Sequence, residues 1–451
     1  MSSGALEREI QRYEARTPRS RALQAEATRV LPGGSSRGTA YFAPYPFFAE
    51  GGEGHYVYDA DGNRYLDFML NATSLILGHA HPEVVEGIAT QASKGTAFST
   101  PTVSQLRLAR LLCDRIPSLD TIRFTNSGTE GTLMAIRAAR AFTGRPKIAK
   151  FEGGYHGAHE YVAVSVQPPA AKLDPAGPTA IPEYPGQSAG VLREVVVLPY
   201  NDLAASERLL RAHAAELACL IMEPIVSSFG YVPGRPEFLR GIRKLTEELG
   251  IVLIFDEVQS LRVAPGGAQE LFGVAPDLTC LGKIIGGGLP VGAFGGRRDI
   301  MGQFDPTGAG ARIAHAGTFN ANPMTMVAGE VVVKSLTPAI YRRLADLGES
   351  LRGKLRAVLA GLGVPAQVTG VASLFGLHFT AQPVTDYRAM LTGDPELKRA
   401  VFVGLLNEGI LLQTGLAGAL GTMTGEAEIE TLVDAVRRVV ARVRQEVAVD
   451  G

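Results

Sequence analysis

The sequence predicts an α/β protein, with a mostly parallel sheet flanked by helices and a smaller α+β part drawn from both ends of the chain. Three observations predict it. The runs Ala218 to Met222 and Ile251 to Phe255 are short and continuously apolar, as in strands buried on both faces of a parallel sheet. Between them, Glu237 to Leu249 places Leu239, Ile242 and Leu245 on one helical face, so strand, helix and strand alternate. After Gly317 this alternation stops, and long amphipathic helices surround one strand-like run.

Taken in order, the first thirty residues read as a polar helix rich in Glu7, Arg8, Glu9, Arg12 and Arg16. Leu31 to Gly34 is a turn, and Ser35 to Phe48 is an irregular loop rich in aromatics. His55 to Tyr58 and Tyr65 to Phe68 flank Asp61-Gly62 and predict a hairpin. Thr121 to Thr125 predicts a strand and Gly131 to Ala141 a helix. Asp277 to Lys283 is a further short strand. Pro168 to Gly190, rich in Pro, Ala and Gly, reads as a lid or interface loop. Thr337 to Leu362, Leu397 to Glu408 and Glu426 to Val447 are expected helices, with Ser373 to Phe379 a strand. The expected division is 1–75 and 331–451 for the smaller part and 76–330 for the larger.

Composition narrows the function. The 44 basic and 45 acidic side chains leave a net charge of −1, which argues against a protein built mainly to grip a polyanion, so no nucleic-acid partner is expected. A 46% apolar, 20% charged chain is globular rather than disordered. Cys113, Cys219 and Cys280 are far apart and form no zinc spacing, so free thiols in a reducing compartment are expected. No signal-like apolar segment and no membrane-length run is present, and a cytoplasmic protein without a membrane partner is expected.

The chemistry concentrates in a few runs. The strand ending at Phe255 leads into Asp256-Glu257-Val258-Gln259, placing a carboxylate where α/β sheets bind ligands. Lys283 closes the next predicted strand, ahead of Gly286 to Gly288. An ammonium at a buried strand end is costly, and imine formation removes that cost. A Schiff-base lysine with a carboxylate for a ring nitrogen is the pairing that pyridoxal phosphate requires. Ser127, Gly128 and Thr129, between a strand and a helix, offer backbone N–H groups and hydroxyls to a phosphate, although an ordinary capping box looks much the same. Tyr155 follows the next strand and suits stacking on a flat ring. His156 and His159 read as solvated loop residues. Their spacing resembles a metal pair, but no third ligand is evident and no metal is expected. No GxGxxG opens a helix after a strand, which argues against a dinucleotide-binding protein.

Together these runs carry a resemblance. NSGTE, FEGGYHG, MEP, FDEVQ, LGKIIGGGLPVGAFGG and GTFNANPM occur in the order found in class III (subgroup II) aminotransferases of fold type I, over about residues 30–445. LPGGSSR, IRFTNSGTE and LPYNDL resemble the branch holding glutamate-1-semialdehyde 2,1-aminomutase and the aminotransferases of β-amino acids such as β-phenylalanine.

The resemblance implies pyridoxal 5'-phosphate as cofactor, with Lys283 forming the internal aldimine and moving the proton. Asp256 matches the residue that keeps the pyridine nitrogen protonated, Val258 the residue behind the ring, and Tyr155 the stacking aromatic. Ser127, Gly128 and Thr129 match the phosphate cup. His156 and Glu223 fall in matching runs beside the cofactor. Thr318 matches a threonine that reaches the phosphate of the partner subunit, which implies a homodimer with sites at the interface. Arg37 matches an arginine that binds the substrate carboxylate. The β-phenylalanine enzymes carry a second arginine, and the aminomutase a glutamate, near Leu411 to Gly418, where this chain has no charged residue. Arg37, Phe42 and Gln413 form the expected substrate-binding set. The implied activity is amino transfer between an amine or β-amino acid, of aromatic or hydrophobic character, and a carbonyl acceptor. Intramolecular transfer of the aminomutase type is the alternative, and a racemase or decarboxylase is a third possibility in the same fold.

Overall fold

Alternate side chains of the same strands face two different cores. Leu220, Met222, Leu253 and Phe255 pack with Phe238, Leu239 and Ile242, whereas Cys219, Ile221, Val252 and Ile254 pack with Met134, Ala135 and Ala138. Apolar residues on both faces are why these runs are continuous rather than alternating. Cys219 and Cys280 are free thiols inside the second core, where burial raises their pKa.

The computed structural model describes residues 3–307 and 310–450. Its main sheet has seven strands: β1 (Thr121–Thr125), β2 (Lys147–Phe151), β3 (Val195–Leu198), β4 (Leu217–Met222), β5 (Val252–Asp256), β6 (Leu278–Gly282) and β7 (Gly292–Gly296). Their spatial order is β1-β7-β6-β5-β4-β2-β3. Only β7 runs antiparallel to its neighbours. Helix Gly128–Thr143 covers one face and helix Pro236–Glu248 the other.

Strand β7 escapes the sequence patterns, because GAFGG shows no β-branched alternation. Its glycines are required by close approach. A Cβ on Gly292 would lie 1.9 Å from the carbonyl oxygen of Ser127, and one on Gly295 2.4 Å from that of Thr121. Gly292→Ala should therefore push the Ser127 turn away and destabilise the protein by about 1–3 kcal/mol or more. Urea denaturation checks this, and a wild-type midpoint would contradict the close approach.

The chain divides into two units. The larger comprises Pro82–Arg343 and Val384–Leu391, the smaller the chain up to His81, Leu344–Pro383 and the chain from Thr392 onward. The boundaries thus fall later than 75 and 330. Helix Pro323–Ser335 packs on helices Pro82–Ala92 and Val103–Arg115 and belongs with them, Arg107 Nε donating to Glu330 at 2.8 Å. Val384–Leu391, expected in the smaller part, returns to the larger unit. Arg388 holds Glu152 through two bonds of 2.7 and 3.1 Å, and the Tyr387 hydroxyl donates to the Pro168 carbonyl. Arg388 also reaches the carbonyl of Asp174, tying down the 168–190 stretch.

In the smaller unit Pro18 splits the predicted first helix into Ser3–Arg16 and Pro18–Ala27. The predicted hairpin forms between Tyr56–Asp59 and Arg64–Asp67, with Gly62 at φ +81° in its turn. Ile410–Leu411 adds in parallel to Arg64–Asp67, and Gln367–Thr369, Leu374–His378 and Ala417–Ala419 make a second sheet. Helix Ser3–Arg16 packs on Pro395–Asn407 and Glu426–Asp450, with Glu9 buried and held by Asn407 and Arg442. Among the described residues no helix is long and apolar enough to cross a membrane.

Candidate active site

The site forms where the parallel strands of the larger unit end. Thr125, Gly292 and Gly282 lie side by side across β1, β7 and β6, and Asp256 ends the next strand. Lys283 follows β6 directly and opens a short 3-10 turn, Lys283–Gly286. Its φ is +49°, a left-handed conformation that a side chain resists by about 1–2 kcal/mol. Such strain is retained where surrounding structure over-determines it, commonly at functional positions.

Asp256 is buried and oriented on both oxygens. Its Oδ2 lies 2.9 Å from His156 Nδ1, and its Oδ1 accepts from the Val258 N–H at 3.1 Å. His156 is 1% exposed, so the solvated-loop reading fails for it. The Thr132 hydroxyl donates to its carbonyl, fixing the backbone that carries the ring. His159 is also largely withdrawn from water. Burial, then the nearby His156, Arg137 and Arg140, push its pKa down to about 4.

The unfolded chain binds a proton at His159 near pH 6.5, while the folded one resists it until about 4. The stability this contributes is present above 6.5 and is lost as pH falls through 4. His159→Gln should flatten that part of the pH–stability curve in denaturant titrations; an unchanged slope would contradict the burial.

Ser127 caps helix Gly128–Thr143. Its Oγ accepts from the Glu130 N–H, while the Glu130 carboxylate accepts from the Asn126 N–H at 2.8 Å. The Gly131 N–H goes to the Ser127 carbonyl. The N–H groups of Gly128 and Thr129 precede the intrahelical ladder, at the positive end of the helix dipole. The turn expected to receive a phosphate is thus also the helix's capping turn. A Cβ on Gly128 would lie 3.0 Å from Val258 Cγ2, and one on Gly282 3.2 Å from Val258 Cγ1, so Val258 sits between the cup and the lysine strand. The Thr129 hydroxyl accepts from the Ala158 N–H, linking the cup to the tyrosine run.

Tyr155 leaves 46% of its surface exposed, and its N–H donates to Glu223 Oε1 at 3.1 Å. Burial, then Asp256 and Glu223, raise its hydroxyl pKa. Glu223 follows β4, accepts from the Ser227 N–H and hydroxyl, and has its pKa raised chiefly by burial. Thr318 lies on an exposed turn. That turn is docked beside the cup by Asn126 and Asn320, 2.8 Å apart, a pair the sequence reading did not single out.

The other three expected residues belong to the smaller unit. Arg37 is exposed, and its Nη1 donates to Asn71 Oδ1 at 2.6 Å. Phe42 is engaged in packing, with its ring 5.7 Å from Tyr13 and edge-on to Phe402 at 5.1 Å. Gln413 closes a tight turn, its N–H donating to the Ala417 carbonyl while its carbonyl accepts from the Leu416 N–H.

The larger unit's residues fit pyridoxal phosphate. An oriented buried carboxylate, a lysine on the adjoining strand end, a half-exposed aromatic and a helix start that offers N–H groups to an anion meet at one end of the sheet. A sheet and site of this kind define a pyridoxal-phosphate enzyme. The model of the family described as Aminotransferase class-III matches residues 40–422, and the chain belongs to that family. Its cofactor is pyridoxal phosphate.

Among curated relatives, glutamate-1-semialdehyde 2,1-aminomutase of Salinibacter ruber is 42% identical, over 94% of this chain and 97% of its own. Among solved structures, an omega-transaminase from Sphaerobacter thermophilus is 48% identical with TM-score 0.91, over 94% of this chain and 98% of its own. A transaminase with PLP bound is 39% identical with TM-score 0.89, over 95% and 99%. A β-phenylalanine aminotransferase from Variovorax paradoxus is 36% identical with TM-score 0.88, over 97% of each chain.

Proposed function

We propose that this enzyme is a transaminase that moves an amino group from an amine or β-amino acid of hydrophobic or aromatic character to a keto acid or other carbonyl acceptor. The observation that carries this reading is the turn from Gln413 to Ala417, which holds no charged side chain where the resemblance puts the glutamate of the aminomutases. A turn without a charged side chain offers a second substrate carboxylate no ion-pair partner, which favours an uncharged substrate body. The 48% identity with an omega-transaminase supports the same choice. Intramolecular amino transfer is the second reading, favoured by the 42% identity with an aminomutase.

When bound, pyridoxal phosphate supplies an electron sink for a carbanion. Lys283 Nζ would hold the cofactor, take the proton from the substrate carbon that bears the amine, and pass it to the cofactor rather than back to that carbon. Asp256, held by His156 and the Val258 N–H, keeps a proton on the ring nitrogen. Gly128 and Thr129 N–H groups would bind the phosphate. Val258 and Tyr155 would hold the ring. Arg37 binds a substrate carboxylate when one is present.

A homodimer in the cytoplasm completes the reading. Phe98, Val103, Leu106 and Phe319 are large apolar side chains with half or more of their surface exposed. Gln105 and the Gly317–Asn320 turn line one cavity of about 490 Å³, so the start of helix Val103–Arg115 and the Thr318 turn are neighbours on that surface. A second copy would cover them and bring its Thr318 to this phosphate cup.

The test is a half-reaction. Absorbance is followed on adding 1-phenylethylamine, β-phenylalanine, alanine or glutamate without an acceptor, and released ketone is quantified. Stoichiometric ketone from an aromatic amine supports the transaminase. No response to these donors, with turnover of glutamate-1-semialdehyde, supports the aminomutase reading instead.

A further inference from the structure

Leu70, Asn71, Ala72 and Thr73 occupy consecutive left-handed conformations, with φ of 48°, 48°, 53° and 73°. Left-handed residues occur singly as a rule, and only Gly, Asn and Asp accept them readily. No glycine is present here, and two of the four side chains are a bulky leucine and a β-branched threonine. The turn is heavily pinned. Asp67 Oδ1 accepts from the Met69 and Leu70 N–H groups at 2.7 and 2.8 Å, and Asp67 Oδ2 lies 2.8 Å from His79 Nε2. Leu70 and Thr73 are buried, while Asn71 is turned outward. Strain held this firmly calls for a function of what it presents.

What it presents is an oriented amide. Ser74 Oγ donates to the Asn71 carbonyl at 2.9 Å and accepts from Asn71 Nδ2 at 3.1 Å. With the amide nitrogen committed to Ser74, Oδ1 faces Arg37 Nη1 at 2.6 Å. A free arginine in an exposed loop samples many rotamers, which a carboxylate ligand must freeze. A neutral acceptor engages one of the five guanidinium N–H groups and leaves others for a bidentate contact. An aspartate there would compete for the whole charge.

We propose that Asn71, carried on the left-handed turn and oriented by Ser74, is a positioning residue that holds Arg37 ready for a substrate carboxylate and so sets selectivity for carboxylate-bearing donors. This rests on the reading of Arg37 as the carboxylate-binding group, and the test separates the two. The variants are Asn71→Gly, which removes the amide yet suits the left-handed backbone, Asn71→Asp, Arg37→Ala and the double variant Asn71→Gly with Arg37→Ala. Each holoenzyme is assayed with β-phenylalanine and with 1-phenylethylamine, which lacks the carboxylate. Binding of 3-phenylpropanoate, a carboxylate without the amine, is measured by calorimetry.

Losing one charge-assisted hydrogen bond should raise KM for β-phenylalanine and Kd for 3-phenylpropanoate about tenfold in Asn71→Gly, with kcat within about twofold. 1-Phenylethylamine kinetics should stay unchanged, Asn71→Asp should weaken the same two quantities, and Asn71→Gly should add nothing once Arg37 is alanine. Equal losses with both donors would overturn the proposal, because the turn would then be merely structural. Unaltered carboxylate binding in Asn71→Gly, with weakened binding in Arg37→Ala, would also overturn it. Unaltered binding in Arg37→Ala would overturn the reading of Arg37 itself.

Discussion

Replacing Lys283 by alanine is expected to lower turnover by at least the 10²–10⁴-fold typical of losing a general base, with every other residue proposed to bind the cofactor still in place. On the proposed reading the variant would lose both the covalent hold on the cofactor and the group that moves the proton. The backbone change adds little loss of its own, since the left-handed φ of +49° at this position is no easier for alanine than for lysine. Folding is therefore expected to persist, and circular dichroism checks that it does. Single-turnover rates with the best donor of the half-reaction screen give the magnitude. Added methylamine should restore part of the rate by supplying a diffusible base. Turnover near wild type would remove Lys283 from the chemistry.

Asp256→Asn should cost about 10²–10³-fold in the proton-transfer step, the scale of removing one preorganised electrostatic partner. Asparagine has nearly the same shape, so Oδ1 can keep the Val258 N–H. What disappears is the negative charge that holds a proton on the ring nitrogen. The second oxygen, which faces His156 Nδ1, becomes an amide nitrogen, so the His156 ring must change the proton it offers. Cofactor binding should survive, because the phosphate cup and Lys283 are untouched, and the loss should appear in kcat rather than in donor KM. A loss confined to KM would mean that Asp256 only shapes the pocket.

The sheet and the elements that carry the expected cofactor residues were legible in the sequence, each for an identifiable reason. Strands such as Val252–Asp256 announce themselves because both faces are buried and their residues are uniformly apolar. The helix start at Ser127 was legible because a helix needs a capping side chain, and serine supplies one here. The glycine strand Gly292–Gly296 was not legible, since its composition answers to neighbouring carbonyls rather than to side-chain packing. His156 was misplaced because the feature that buries it, Asp256, lies a hundred residues away. Val384–Leu391 returns to the larger unit through Arg388 and Glu152, and no local pattern encodes that pairing. The left-handed turn Leu70–Thr73 offered only Asn71 as a hint, among residues that ordinarily avoid such a conformation.

The most direct test of the central claim is to reduce the yellow holoenzyme with borohydride, digest it, and locate the pyridoxyl group by mass spectrometry. The expected result is one modified residue, Lys283, with the label absent from Lys283→Ala. A label on another lysine, such as the buried Lys150 whose pKa burial lowers to about 7, or no label at all, would contradict the account.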